Sequence, residues 1–514
     1  MAEEAVKKVE LDEDVLALMK QRDEKLKSNV PETLNELIKK LKFAGDHWRK
    51  DFTKGHSIRP RGIADILEHY ITFAVIGSNE FDLEKAPLTF YDLDEGIYTT
   101  SIRELDKLIL AVERDTTVRQ RKEVRDLLRI EAPEKQDTDQ QTLIAVGNGV
   151  YNQLTGTLEP FNSKYVFRSK VSTNYEADAS EPVFNGWQFS KWIKEIADGD
   201  GAKEKLIWQA LACAVNSNYN MELAFILVDD GQGRTGKSTF ENLLINLVGS
   251  GNYASLKIKE FEEQFKLASA SGKALIIGDD NNPNDYNATS ENFKSAVTGD
   301  VLLINPKGMP PFTTKFNCLV VQSANGMPRF SDNTDALLRR FRVIKFNHQY
   351  PATNDNKKIK SDYINDQRLL EFILNKALQI RLDQTPIQDT EESQKAIYDI
   401  KLENDVVAYF VENYMSKIKS DRIPSSFLFK LFLATMKYEN NPQTMKQHTF
   451  TKRVQIPLKK IGWLYERKNL KLGKYWNKED YELLNQYDPE NKYDLLQIET
   501  QKNISLFERR SDLI

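Results

Sequence analysis

The 514-residue sequence predicts an α/β fold, and three observations predict it. Four short apolar runs, AFILV at 224–228, ALIIG at 274–278, CLVVQ at 318–322 and RVIKF at 342–346, alternate with helix-like segments. Continuous apolar runs of this length read as strands buried on both faces, as in a parallel sheet covered by helices. A glycine-rich turn, GQGRTGKST at 231–239, follows the first run and precedes TFENLLINLV, so that strand, turn and amphipathic helix stand in series. The flanks differ from this core: mainly helical before it, and three helices with a basic surface after it.

In chain order, residues 1–60 read as a polar helical arm, with apolar spacing at Val15, Leu16, Leu18 and Met19 and again at Leu34, Leu37, Ile38 and Leu41. Residues 61–186 read as an α+β domain. Its helical patterns run to about Leu128, broken by LTFYDLDEGIYTT, a hairpin around Asp94-Glu95-Gly96. After the polar loop EAPEKQDTDQQ, the segment IAVGNGVYNQLTGTLEPF carries Asn-Gly and Thr-Gly turns between β-prone runs. Residues 187–395 form the α/β core, which opens with the helices of WQFSKWIKEIA and EKLIWQALACAV. Residues 396–475 read as a winged-helix domain: DVVAYFVENYM, then IPSSFLFKLFLATMKYEN capped by Ser425 or Ser426, then TMKQHTFTKRVQIPLKKIG, with GWLYERKNLKLGKYW as the wing. Residues 476–514 are expected to be an acidic appendage.

Composition excludes several classes. No stretch approaches the roughly 20 apolar residues of a membrane span, and the opening MAEEAVKKVELDEDV lacks the charged-then-apolar order of a secretory signal. The only cysteines, Cys213 and Cys318, lie in apolar surroundings, which argues against a disulfide framework or a cysteine-based zinc site and for the cytoplasm. The net charge of −4 is unremarkable, but its distribution is not: between Lys417 and Lys474 fourteen Lys and Arg face three acids, Asp421, Glu439 and Glu466. Such a field suits a polyanion, although a solvated basic face has the same composition.

The chemistry concentrates around the glycine turn. Gly231, Gly236, Lys237 and Ser238 satisfy the P-loop pattern. Backbone N–H groups of Gly231, Gly233, Thr235, Gly236, Lys237, Ser238 and Thr239 can wrap a phosphate at a helix N-terminus. Lys237 is expected to reach the β- and γ-phosphates of ATP, and Ser238 to supply a Mg²⁺ ligand. At the end of the second run, Asp279 is the expected metal carboxylate and Asp280 the residue that orients or deprotonates the attacking water. Asn325 ends the strand-like CLVVQSAN that continues the third run, where its amide can bond the γ-phosphate. Arg339 and Arg340 precede the fourth, placed for one of them to act in trans on a neighbouring subunit's nucleotide.

With these elements in order between 231 and 340, the sequence resembles the superfamily III helicases, in particular the helicase portion of phage, plasmid and poxvirus primase-helicases. GNGVYNQLTGTLEPF, FEEQFKLASASGKALIIGDD, NFKSAVTGDVLLINPKGMPPFTTKF and SANGMPRFSDNTDALLRRFRVIKF carry the likeness beyond the glycine turn, and it covers roughly residues 60 to 470. The resemblance implies an AAA+-like ATPase core in a ring, usually a homo-hexamer, that hydrolyses ATP between subunits and draws a DNA strand through its channel. It also implies a channel hairpin with its tip at Asn305-Pro306-Lys307-Gly308, where Lys307 meets a phosphate without reading bases. Relatives often carry a primase ahead of the helicase. Residues 1–200 show neither paired catalytic carboxylates with a nearby histidine nor a Cys/His zinc module, so primase activity is not expected, and a separate primase, polymerase or loading factor is.

In the basic C-terminal segment, Lys446, His448, Lys452 and Arg453 are the expected DNA contacts. The leading expectation is an ATP-dependent DNA helicase that replicates a phage, plasmid or genomic-island element in the host cytoplasm. An ATP-switched origin-binding or loading protein without unwinding activity is the alternative. A small-molecule P-loop kinase explains neither the basic segment nor the hairpin.

Overall fold

The computed structural model describes residues 31, 33–77, 86–229, 231, 233–282, 286, 287, 290–307, 310–330, 335–351, 356–468, 478–488 and 504–510. The chain divides into two compact units, Met1–Pro328 with Ala336–Ser393 and Arg329–Asp335 with Gln394–Ile514. Among the described residues no helix is long and apolar enough to cross a membrane.

The first unit opens with α1 (Leu34–Asp51) and α2 (Pro60–Tyr70), then β1 (Phe73–Ile76), β2 (Leu88–Asp92), β3 (Ile97–Thr99), α3 (Ile102–Val112), α4 (Val118–Glu131) and β4 (Glu134–Lys135). Thr117 and Gln120 close a reciprocal capping box that starts α4. The sheet order is β3-β2-β1-β4, antiparallel except for the β1–β4 pair. Leu37 and Leu41 of α1 pack with Ile63, Leu67, Leu105, Ile109, Val124 and Leu128 in one core.

One expectation changes here. Residues 33–60 are no arm, because the apolar stripe of α1 is stable only against a partner and finds it in that shared core. Over 61–186 helices and strands are mixed: the hairpin β2–β3 turns at Asp94-Glu95-Gly96, and the Asn-Gly and Thr-Gly turns join a second antiparallel sheet, β5 (Leu143–Val146), β6 (Gly149–Asn152) and β7 (Thr157–Glu159). Residues 1–30 of the expected arm lie outside the described residues.

The centre of this unit is a five-stranded parallel sheet. Helices α5 (Phe189–Ile196) and α6 (Gly201–Val215) precede β8 (Ala224–Val228); α7 (Lys237–Val248), β9 (Tyr253–Ser255), β10 (Leu275–Asn281) and α8 (Glu291–Thr298) follow it. Next come the hairpin β11 (Leu302–Ile304) and β12 (Phe312–Thr314), then β13 (Leu319–Ala324), β14 (Phe341–Lys345) and α9 (Gln367–Leu378). The order is β14-β8-β13-β10-β9, with all registered pairs parallel. Every residue of β8 is buried, as an unbroken apolar run requires. Phe225 and Leu227 share a core with Leu206, Ile207 and Leu211 of α6, Leu243, Leu244 and Leu247 of α7, and Ile373 and Leu374 of α9. All four apolar runs became strands. The edge strand β9 was not legible, since Tyr-Ala-Ser has no apolar run and is extended only because Leu275–Ile277 offer it a ladder. Cys213 and Cys318 are buried, which pushes both thiols up, Cys318 to about 12; they are inert packing groups.

In the second unit α10 (Val406–Tyr414), β15 (Arg422–Pro424), α11 (Ser425–Tyr438), α12 (Gln447–Lys460), β16 (Trp463–Lys468), α13 (Lys478–Tyr487) and β17 (Ile504–Arg509) follow in order. The antiparallel sheet runs β15-β17-β16. Phe410, Phe427, Leu431, Phe450, Val454, Leu506 and Phe507 form its core.

The segment expected as an acidic appendage is therefore structural: β17 is the middle strand, and the buried Asp480 of α13 accepts from the N–H groups of Lys419 (2.7 Å) and Ser420 (2.8 Å). Two of its acids are buried because Asp480 caps backbone donors and Glu508 pairs with a cation, Arg422, at 2.6 Å. The cap of α11 is Pro424, with Ser425 already helical. Residues 469–477, the expected tip of the wing, lie outside the described residues.

Candidate functional site

The turn from β8 into α7 builds a recess around Lys237. Gly236 precedes the helix at φ +88°, a conformation that strains any residue with a Cβ. Asp229, at the end of β8, shapes the loop: its carboxylate accepts from the Gly231 N–H (3.1 Å) and the Thr235 hydroxyl (3.2 Å). The buried Lys237 ammonium lies 3.2 Å from the same carboxylate and donates to the Ala324 carbonyl (2.8 Å) and the Asn325 side-chain oxygen (2.7 Å). Folding thus brings Lys237 and Asn325, 88 positions apart, into direct contact, because β8 and β13 are neighbours.

The acidic pair sits on a bulge. Gly278 pairs with Gln322 and Asn281 with Ala324, so Asp279 and Asp280 stand opposite the single residue Ser323. A bulge of this kind re-aims side chains at the end of a strand. A Cβ on Gly278 would come within 2.0 Å of the Gln322 side-chain oxygen and 2.5 Å of the Leu256 carbonyl, so only glycine fits before the pair. Asp279 accepts from the Ser323 hydroxyl at 3.1 Å. Asp280 is held at φ +53° through its backbone, the N–H donating to Ser323 (3.2 Å) and the carbonyl accepting from Lys257 (2.9 Å). A non-glycine residue kept in that region stores strain of about 1 kcal/mol or more, a common mark of functional sites.

Other residues join the site without belonging to any motif of the sequence. Glu241 lies one helical turn after Lys237 on α7 and is buried. Its carboxyl is pushed up to about 7, first by burial and then by Asp279 beside it, while the Ser323 hydroxyl and the Lys237 charge pull it down. One of its oxygens has no hydrogen-bond partner. The i, i+4 spacing from Lys237 was the available signal. Asp229 directly precedes the turn and was equally readable. Trp192, Tyr350, Ile359 and Lys360 were not, for they come from distant segments. With the turn they line a cavity of 600 Å³, and the Lys360 ammonium donates to the Ser238 hydroxyl at 3.2 Å.

The Glu241 environment has a measurable consequence. Between pH 4.5 and about 7 the folded chain keeps a proton here that the unfolded chain has released. The stability contributed by this carboxyl therefore falls as pH rises through that window. At about 1.4 kcal/mol per unit the full loss is about 3 kcal/mol. Glu241→Gln is expected to raise the unfolding free energy of its unit by up to that amount above pH 7 and to change little near pH 4.5. Urea denaturation across the window tests this, and parallel pH profiles for the two proteins would refute it.

The remaining expected residues fall as follows. Arg339 is exposed at the start of β14, while Arg340 is half-buried and paired with Glu222 at 3.0 Å. Lys307 is exposed in the turn of the β11–β12 hairpin, and Gly308 lies outside the described residues. In the second unit Lys446, His448 and Lys452 are exposed on or just before α12. Arg453 differs, since its guanidinium bonds Asp405, the cap of α10, at 2.8 Å.

Comparison with known proteins gives three family matches. Residues 36–197 match a family described as D5 N terminal like, residues 230–340 a family of unknown function (DUF5906), and residues 402–490 a family described as poxvirus D5 protein-like. Among solved structures, two apo structures of the NrS-1 C-terminal region are similar. One shares 13% identity over 87% of this chain and 99% of its own, with a TM-score of 0.48; the other shares 14% over 88% and 100%, with a TM-score of 0.47. The two segments with D5-type descriptions lie before and after the glycine turn in sequence, so the chain is similar to D5-like proteins on both sides of it.

Proposed function

We propose that this protein is an ATP-driven DNA helicase of the superfamily III type that serves the replication of a phage, plasmid or genomic-island element, acting in the host cytoplasm as a ring, a homo-hexamer in the simplest case. The observation that carries the reading is the Lys237 ammonium, poised between the Asp229 carboxylate and the Asn325 amide at the ends of adjacent parallel strands. On this reading the turn is a P-loop in an AAA+-like core. An arriving triphosphate takes over Lys237, and Asn325, freed from it, bonds the γ-phosphate and the attacking water.

Mg²⁺ fits the donors present: the Ser238 hydroxyl and the Asp279 carboxylate are hard oxygens, and the Glu241 carboxyl, which feels the Asp279 charge, has one oxygen with no hydrogen-bond partner. When bound, the ion would neutralise phosphate charge. Asp280, whose strained backbone fixes its position, is the residue proposed to orient the water. Primer synthesis is left to another protein.

DNA contacts are assigned to Lys307 and to the second unit. Its order of helix, strand, helix, helix, strand, helix, strand supports a winged-helix reading in which α13 is inserted before the last strand, and Lys446, His448 and Lys452 are exposed on or just before its third helix. Arg453 acts there as a brace for α10. The deciding experiment is unwinding of a forked duplex by the purified protein with ATP and magnesium. ATP hydrolysis and DNA binding without unwinding would favour the loading-protein alternative. Lys307→Ala is expected to abolish strand separation and to lower the salt slope of single-strand binding by about 0.7, the share of one neutralised phosphate; unwinding at the wild-type rate would dismiss the channel role.

A further inference from the structure

Away from the nucleotide recess the first unit holds a second cavity, of 380 Å³, walled by the β1–β3 sheet, the segment before β10 and the β11–β12 hairpin. This size is within the range of small-ligand sites. Its lining is polar and cationic. Thr99, Ser271 and Thr313 bring hydroxyl groups, and Arg168, Lys273 and Lys315 bring positive charge. The one carboxylate among the described lining residues, Asp137, is already engaged by Arg168 through two parallel bonds of 2.7 and 2.5 Å. Lys273 spends one N–H on the Gly251 carbonyl (2.6 Å), and Lys315 is exposed, so the cleft keeps two positive charges that no described lining carboxylate answers. Cations with hydroxyl donors around them suit phosphate oxygens and carry no base readout.

We propose that this cleft binds the phosphodiester backbone of single-stranded DNA. The hairpin favours a polynucleotide over a free nucleotide. Lys307 stands in its turn and Lys315 just past the end of β12, so one hairpin carries a cation at its tip and another at its foot, where it forms the cavity wall. A strand lying along the hairpin meets both. The proposal rests on the DNA-binding reading above and adds a binding surface supplied jointly by the N-terminal sheet and the core.

Fluorescence anisotropy of a labelled oligothymidylate with the full chain, over a range of salt, tests it. The double variant Lys273→Gln/Lys315→Gln is expected to weaken binding about tenfold and to reduce the salt slope by about 1.4, for two single-strand phosphates. Lys315→Gln alone, at an exposed position, guards against misfolding of the double variant and is expected to reduce the slope by about 0.7. Wild-type affinity and slope in both variants would overturn the cleft assignment while leaving the DNA-binding reading intact. A wild-type protein that binds no oligothymidylate would defeat that reading, and this one with it. Thymidine monophosphate separates the sources: if it binds the wild type, and the variants lose it while keeping the oligonucleotide, the cleft serves a free nucleotide and the proposal is wrong.

Discussion

Lys237→Ala is expected to abolish ATP hydrolysis, with kcat lowered by about 10³-fold or more, equivalent to at least about 4 kcal/mol of transition-state stabilisation. The ammonium is the cation held at the mouth of the glycine turn, and charge developing on the transferred phosphoryl group needs it in place. The same substitution has a structural cost, because Lys237 is the cation beside the buried Asp229 carboxylate. An unpaired buried charge costs several kcal/mol, so a thermal melt must accompany the rate. Lys237→Ala combined with Asp229→Asn removes that charge; if the melt recovers and hydrolysis does not, the loss is chemical. Near-normal phosphate release by a folded Lys237→Ala protein would mean that the site is misassigned.

Arg339→Ala is expected to leave nucleotide binding in place and to cut hydrolysis by about 10³-fold, the scale of an arginine finger. Two adjacent arginines follow the same helix turn in sequence, but their surroundings separate them. Arg340 is half-buried against Glu222 and its carbonyl accepts from the Ala224 N–H, so it ties β14 to the start of β8. Arg339 is exposed. Arg340→Ala should therefore cost at most about 1 kcal/mol of stability, as partly exposed ion pairs do, and little of the rate. If sites are shared between subunits, mixing Arg339→Ala with Lys237→Ala protein restores part of the activity. Mixtures that stay inactive at every ratio would rule out trans action, and a rate loss confined to Arg340→Ala would reverse the assignment.

The central α/β architecture was readable because its signal is local. AFILV, ALIIG, CLVVQ and RVIKF are continuous apolar runs, and the glycines of 231–236 announce a turn that residues with a Cβ adopt only under strain. The basic helix 447–460 and the hairpin around Lys307 were legible for the same reason, each being a contiguous pattern bounded by turn residues. Signals spread over distance were missed. Ile504–Arg509 reads as the end of a polar tail until Trp463–Lys468 and Arg422–Pro424 flank it with free ladders. Lys360 has no mark in sequence that relates it to Ser238, 122 positions earlier.

By itself the sequence determined which segments could be strands, where a glycine turn would lead into a helix and which residue types stood at the ends of the strands, since side-chain period and glycine φ act over a few neighbours. Only the tertiary structure decided which of those residues meet. Strand order puts Asn325 on Lys237, the bulge at Asp279-Asp280 sets both acids against Ser323, and burial beside Asp279 makes Glu241 a carboxyl that keeps its proton near neutral pH. Meetings of that kind depend on packing between elements far apart in the chain, where desolvation and ladder pairing outweigh any preference written into a short stretch of residues.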